Sequence, residues 1–227
     1  AWPGAMPRLT LAPAVALLTL GLVLVGVVRF NDPWTARHPL ATSVFHVLDD
    51  QTGKAMLIAT PEDLDPWSRA ALGAAGGPIG KQTFRPLIRR PVWAAADGTG
   101  PTGQLPLSIV SQNGAVDISL PPLTSPAAGT VTLDFRATAP ITLTQVDGRP
   151  VTAKVAAGQW VHIRTTALRL NWVRFIPAGP GSVEARAAVI DSAWPKGAKP
   201  LPPRPSNVMP FDRSDSSVVI SGAQLSW

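Results

Sequence analysis

Three histidines, no cysteine and a few loop acids are what this sequence offers for chemistry. His38, His46 and His162 stand apart, and none belongs to an H-E-x-x-H pair, the spacing that sets two imidazoles on one helix face for zinc. Each falls in a connector or a strand, where a lone histidine is a structural or surface residue. The absence of cysteine excludes disulfides and thiolate metal sites, and it is compatible with either side of a bacterial membrane. A serine nucleophile needs a G-x-S-x-G elbow or an equivalent with a base, and no such run exists. Gly73 to Gly80 precedes Lys81 but lacks the phosphate-loop spacing and a strand-to-helix setting. The paired acids Asp49-Asp50 and Glu62-Asp63 lie at turns, where Asp serves capping and turn geometry; calcium is the cation such loop acids would hold. No catalytic, cofactor-binding or metal-binding residue is assigned.

Charge narrows the partners. The net charge of +6 is not clustered, its densest group being Arg85, Arg89 and Arg90. Without a lysine-rich arm or a basic helix interleaved with aromatics, the chain is read as binding no nucleic acid. The excess is a surface bias that would favour a lipid headgroup layer.

The stretch most unlike a soluble domain is Leu9 to Val28, twenty uncharged residues between Arg8 and Arg29. As a helix rising about 1.5 Å per residue it spans roughly 30 Å, the hydrocarbon thickness of a bilayer. Its seven leucines and five valines favour insertion by about 4–7 kcal/mol before Pro13, the glycines and the threonines reduce that figure. A buried core helix rarely stays apolar on every face for five turns. A cleaved signal peptide would be shorter and end in small residues, whereas this run exits through Val27-Val28-Arg29-Phe30. Gly21 and Gly26 are not spaced as a G-x-x-x-G dimer face. The start Ala1-Trp2-Pro3-Gly4 reads as the C-terminal piece of something longer.

Beyond the run, Pro, Gly, Thr and Val are abundant and charge is sparse, a balance that suits a β-sandwich. Residues 29–42 form a juxtamembrane connector with Phe30 and Trp34 as interfacial rings. Ser43 to Leu48 and Lys54 to Thr60 flank a turn ending at Gly53 and predict a hairpin. Asp65 as N-cap and Pro66 at the first helical position predict a short helix that stops at Gly73. Thr83 to Ala96 is basic, broken by proline and unassigned, and Asp97 to Gly103 reads as a loop.

Apolar residues then alternate through Leu105–Ile109, Val116–Leu120, Val131–Phe135, Ile141–Leu143 and Val151–Val155, with Asp147-Gly148 as a hairpin turn. Trp160–Arg164, Leu168–Ile176 and Val183–Ile190 add three more strands. A proline-rich tail, Pro195 to Pro210, precedes a last strand, Ser217 to Ser221. The expected fold is mainly β: an antiparallel β-sandwich-like domain preceded by one transmembrane α-helix. In segments it is a lead-in (1–8), the transmembrane helix (9–28), the connector (29–42) and a β-rich extracytoplasmic domain (43–227) with one short helix near 65–73.

Several motifs stand in an order that resembles a known family. They are Arg37-His38-Pro39, the run Ser43-Val44-Phe45-His46-Val47-Leu48-Asp49-Asp50-Gln51-Thr52-Gly53-Lys54-Ala55, then Asp65-Pro66-Trp67-Ser68-Arg69 and Leu72-Gly73. The closing runs are Leu201 to Pro210, LPPRPSNVMP, and Ser214-Asp215-Ser216-Ser217. Together they resemble the region after the last membrane helix of bacterial multi-spanning zinc exopeptidases related to the endoplasmic-reticulum metallopeptidase (Fxna-like) group. His46 stands where that pattern usually has Tyr.

The resemblance implies a zinc-dependent peptidase domain first, several membrane helices next, and a β-rich C-terminal domain last. This chain would then be the last membrane helix and a non-catalytic domain. Zinc and peptide-bond hydrolysis would belong to a missing N-terminal part. The implied partners are the lipid bilayer and the upstream helices and peptidase domain of the same polypeptide. The implied location is the bacterial inner membrane, with the β-domain periplasmic or otherwise extracytoplasmic. The rival expectation is a single-pass membrane protein whose sandwich binds a protein partner or a glycan through exposed tryptophans, the candidates being Trp93, Trp160 and Trp194.

Overall fold

A computed structural model of the chain describes residues 11–30, 34–98, 105–120, 128–165 and 172–227. The chain forms two compact units, Ala1–Leu40 with Pro205–Met209, and Ala41–Arg204 with Pro210–Trp227.

The first unit carries α1, Leu11–Phe30. Every side chain described in it from Pro13 to Val27 is exposed except the half-buried Gly26. The helix continues through Arg29 and Phe30, beyond the expected end at Val28, while Leu9 and Thr10 lie outside the described residues. Among the described residues no helix is long and apolar enough to cross a membrane. The described residues therefore do not support the transmembrane role expected of the 9–28 run.

The second unit is mainly β. An eight-stranded sheet has the order β11 (Val161–Thr165), β8 (Ala128–Ala137), β13 (Ser182–Asp191), β15 (Ser216–Ser226), β2 (Val44–Asp49), β3 (Lys54–Ala59), β5 (Ile88–Asp97), β4 (Gly80–Phe84). Its pairs are antiparallel except β15 beside β2, which run parallel from Ser216 opposite Phe45 to Ile220 opposite Asp49. A five-stranded sheet has the order β10 (Arg149–Val155), β9 (Ile141–Val146), β12 (Trp172–Pro177), β7 (Ala115–Ser119), β6 (Ser108–Gln112). Two short strands, β1 (Leu40–Thr42) and β14 (Val208–Pro210), form a separate pair.

Turn chemistry sets the hairpins. Asp147-Gly148 joins β9 to β10 with φ of 49° and 76°, and Asn113-Gly114 joins β6 to β7 with φ of 52° and 75°. Two successive positive φ values match the right-handed twist of the flanking strands, which is why Asp or Asn followed by Gly is favoured there. The β2–β3 hairpin pairs Val44 with Ala59 through Asp49 with Lys54, as the two apolar runs predict.

The unassigned Thr83–Ala96 segment is the β4–β5 hairpin. Its alternation is hidden by Pro86, Pro91 and a register shift between Gln82 and Phe84. The expected strand at Leu168–Ile176 is seen from Trp172, and residues 166–171 lie outside the described ones, as do 99–103 of the expected loop.

The two sheets enclose one core. Val131, Leu133 and Phe135 of β8 and Ala185 and Ala187 of β13 meet Val116, Ile118, Leu143, Val173 and Phe175 of the smaller sheet. Phe135 stacks on Phe175 at 5.7 Å, and Trp227 meets Phe175 edge-on at 5.9 Å. Burying such side chains stabilises the fold by about 1.5–3 kcal/mol each. This is a β-sandwich-like arrangement, as the period-2 runs predict, but not the wholly antiparallel one expected, because β15 and β2 pair in parallel.

A second core lies on the other face of the larger sheet: Phe45, Val47, Ile58, Val92, Ile190, Val218 and Ile220, with Phe84, Leu87 and Ile88 against it. The sheet coils around this core. Arg85, in the β4–β5 turn at one edge, approaches to 3.7 Å of Asp134 on β8, next to the opposite edge. Coiling explains why Thr132 and Asp134, polar residues on the outward face of β8 in a simple sandwich, are buried.

Helix α2, Pro66–Ala75, covers part of β3 and β5 with Trp67, Ala71, Leu72 and Ala75. Asp65 caps it, its carboxylate accepting from the Ser68 N–H at 2.9 Å. The helix passes the expected stop at Gly73 and ends at Gly76, whose φ of 92° forms the left-handed cap and whose N–H donates to the Gly73 carbonyl.

Candidate functional site

The densest polar junction is built around Arg204. Its guanidinium binds Asp215 through two nitrogens at 2.5 and 3.2 Å, Thr42 Oγ1 at 2.5 Å and Ser214 Oγ at 2.9 Å. Its carbon lies 3.6 Å from the centroid of the Trp67 ring. Trp67 Nε1 in turn donates to the Pro202 carbonyl at 3.1 Å. Ser214 Oγ also accepts from the Val44 N–H at 3.0 Å and donates to Asp215 at 2.7 Å. Ser43 Oγ donates to the Phe211 carbonyl at 2.6 Å.

A planar fork over an aromatic face, with a bidentate carboxylate, has four of its five N–H donors engaged. The fold thus brings the β2 start, the α2 start and the closing segment to one point. Those are motifs that the sequence places far apart. The arrangement can hold chain segments together.

The three histidines are dispersed. His38 is exposed, its N–H bonded to the Thr35 carbonyl at 3.1 Å. His46 is 1% exposed, with Nε2 3.5 Å from the buried Asp97 carboxylate and its ring meeting Trp194 edge-on. His162 of β11 faces Asp134 across the strand pair, Nδ1 to Oδ1 at 2.5 Å. Each of the latter two is a buried acid matched with one imidazole. Among the described residues no three His, Asp or Glu groups converge to hold a metal.

The turn acids serve the backbone. Asp49 Oδ1 accepts from the N–H groups of Gln51 and Thr52 at 3.0 and 3.2 Å, and Asp50 Oδ2 accepts from the Leu105 N–H at 3.1 Å. The glycine-rich stretch is structural too, because a Cβ on Gly77 would sit 2.7 Å from the Ala96 carbonyl oxygen.

The three tryptophans named for glycan stacking are engaged. Trp93 donates to the Glu62 carbonyl at 3.1 Å and carries the Lys81 ammonium 4.8 Å from its ring centroid. Trp160 has the guanidiniums of Arg85 and Arg136 at 5.0 and 4.9 Å. Trp194 donates to the Lys199 carbonyl at 3.1 Å.

One feature of the coiled sheet has no counterpart in the sequence reading. Its mouth beside Phe211 opens into a cavity of about 290 Å³ lined by Arg90, Arg164 and Arg213 above Phe45, Leu87 and Ile190. These arginines come from β5, β11 and the loop before β15, and only the tertiary fold assembles them. Arg89 and Arg90 belong to the densest basic group of the sequence, a faint signal. Nothing local marks Arg164 or Arg213.

No protein-family model, no curated protein and no solved structure matches this chain.

Proposed function

We propose that this chain is the membrane-tethered, non-catalytic C-terminal part of a zinc-dependent exopeptidase. Peptide-bond hydrolysis and the zinc would belong to an upstream domain of the same polypeptide. The β-domain would stand on the extracytoplasmic side of the bacterial inner membrane, where it orients the enzyme or controls substrate access.

The carrying observation is the Arg204 junction. Thr42, Ser43 and Trp67 from the leading motifs meet Pro202, Arg204, Ser214 and Asp215 from the closing ones. Motifs kept for chemistry would gather polar groups around an open cleft. These gather around an ion pair whose donors are mostly engaged inside the protein, as expected of motifs that preserve an accessory fold. The uncharged Leu9–Val28 run supports the tether, and the upstream helices and the bilayer would be its partners.

Two measurements test the reading. Sequencing upstream of Ala1 should show, in frame, membrane helices and a peptidase domain with a two-zinc ligand set; a gene without them overturns it. The chain itself, supplied with zinc, should not hydrolyse aminoacyl substrates, and robust turnover would place chemistry on this domain.

The rival reading is a single-pass protein whose sandwich binds a partner or a glycan. It has less support, because the ring faces of Trp93 and Trp160 are already occupied by cations. Glycan binding lost on Trp160→Ala with folding retained would favour it.

A further inference from the structure

We infer that the arginine-lined mouth of the coiled sheet binds an oxyanion-headed amphiphile, a carboxylate or phosphate bearing a short apolar group. The inference stands apart from the peptidase reading, since it uses only this domain's own cavity.

Charge is the first ground. Arg90, Arg164 and Arg213 line one cavity with a single acid, Asp212. Among the described residues no ion pair joins any of the three to a carboxylate. Some arginines elsewhere on the domain are matched, Arg136 and Arg186 with Glu184, Arg174 with Asp117 and Arg204 with Asp215, whereas the three here converge on one cavity without such a match. Arg90 is turned by its donation to the neutral Thr60 carbonyl at 2.9 Å. Arg90 and Arg164 are exposed and Arg213 half-buried; three like charges on one concavity repel, and an anion seated among them would relieve that repulsion.

Arg213 is the second ground. Its Nη1 is buried and has no hydrogen-bond partner. A guanidinium N–H withdrawn from water without an acceptor is costly, and a ligand oxygen would relieve it. The residue is also held in an unusual backbone state. Asp212, Arg213 and Asp215 have φ of 39°, 60° and 63°, the left-handed region that side chains other than Gly seldom adopt.

Fixed anchors impose that conformation. The Phe211 N–H donates to the Thr42 carbonyl, the Asp215 N–H to the Val44 carbonyl, and Ser216 Oγ to the Arg213 carbonyl. Asp215 is further clamped by Arg204. Strain held by such a frame presents a side chain ready for a ligand.

The cavity floor decides the rest of the ligand. Phe45, Leu87, Ile88 and Ile190 are apolar, and Ser43 and Thr132 add hydroxyls. The volume of about 290 Å³ is at the small end for ligand pockets, roughly 300–1,000 Å³. It suits a head group with a short tail. A guanidinium fork matches carboxylate and phosphate oxygens in pairs, which sets the head chemistry.

The test uses the full chain in nanodiscs of zwitterionic phosphatidylcholine, with octyl phosphate, inorganic phosphate and octanol as separate probes. Octyl phosphate should bind at least about tenfold tighter than either fragment, because head and tail are held together. It should also raise the melting temperature. Arg213→Gln and Arg164→Gln should each weaken it about tenfold or more, the scale of a lost charge-assisted bond. Arg174→Gln, on the far sheet, should not change it.

If Arg213→Gln melts early, Arg213→Lys serves instead, because it keeps the charge and loses the fork. Nanodiscs containing phosphatidylglycerol identify the source. Competition with octyl phosphate that depends on Arg213 points to a bilayer lipid, and octyl phosphate binding without competition points to a soluble amphiphile. Equal binding by parent and variants, or octanol as good as octyl phosphate, overturns the inference.

Discussion

Arg204 and Arg213 lie on the same closing segment of the chain and show opposite uses of one side chain. Arg204 is 15% exposed, and its nitrogens meet Asp215, Thr42 and Ser214 while its plane covers Trp67. Arg213 has a buried nitrogen without a partner and faces a cavity that holds two more arginines. The first is a structural joint whose donors are mostly spent inside the protein. The second keeps its donors for something outside the chain. What separates them is the set of acceptors within reach, since residue type and sequence position are nearly the same.

Removing Arg204 should break the joint and produce the largest effect. Arg204→Ala strands Asp215 and uncovers Trp67. Loss of charge-assisted bonds and of the cation–π contact, discounted for the partly exposed carboxylate, comes to about 2–4 kcal/mol. Calorimetric melting of the full chain in phosphatidylcholine nanodiscs checks it, and a loss below about 0.5 kcal/mol, the scale of an ordinary surface change, would deny the joint.

Arg204→Lys sharpens the point, because it keeps the charge but cannot bind bidentately or stack as a plane. It should cost about half as much as the alanine change by the same measurement, roughly 1–2 kcal/mol. A lysine variant as stable as the parent would mean that charge alone holds the segment.

Arg213→Ala should behave in the opposite way. Without ligand it should not lower stability by more than about 0.5 kcal/mol, since no partnered bond is lost and an unpartnered buried N–H is removed. It should abolish the rise in melting temperature produced by octyl phosphate.

Arg174 supplies the exposed limit. It forms two 2.7 Å bonds to Asp117, a geometry as good as that at Arg204, but its side chain is 44% exposed. The hydrogen bond and the charge of Asp117 raise the Arg174 pKa above its ordinary value. A raised pKa on a cation stabilises the fold fully below the ordinary arginine value and loses that contribution only as pH rises through the raised one. Between about pH 5 and 9 it therefore adds no pH dependence. Asp117→Asn should give the smallest change of the set, with melting temperatures of variant and parent converging in high salt.

Local rules made much of the architecture legible. Val131, Leu133 and Phe135 alternate with polar residues and do form the sandwich core. Asp147-Gly148 does turn a hairpin, and Asp65 does cap α2. Local rules fail where a neighbour remote in sequence changes the meaning of a residue. Gly73 has the local marks of a helix stop, yet Gly76 supplies the left-handed cap. Asp134 alternates as an outward residue, yet Arg85 and the β4–β5 turn roof it over. The β4–β5 hairpin is not legible in the sequence because two prolines and a register shift break its period.

The sequence by itself determined that the chain would be mainly β, with short strands, Gly-based turns and one capped helix. Backbone preference and side-chain period act over a few residues and leave their mark in order along the chain. Only the tertiary structure decided that the larger sheet would coil on itself and that Arg204 would have most of its donors engaged. It also decided that Arg90, Arg164 and Arg213 would share a cavity. Those outcomes depend on which side chains meet across the coiled sheet, and a guanidinium has the same identity in the sequence whether or not an acceptor lies beside it in the fold.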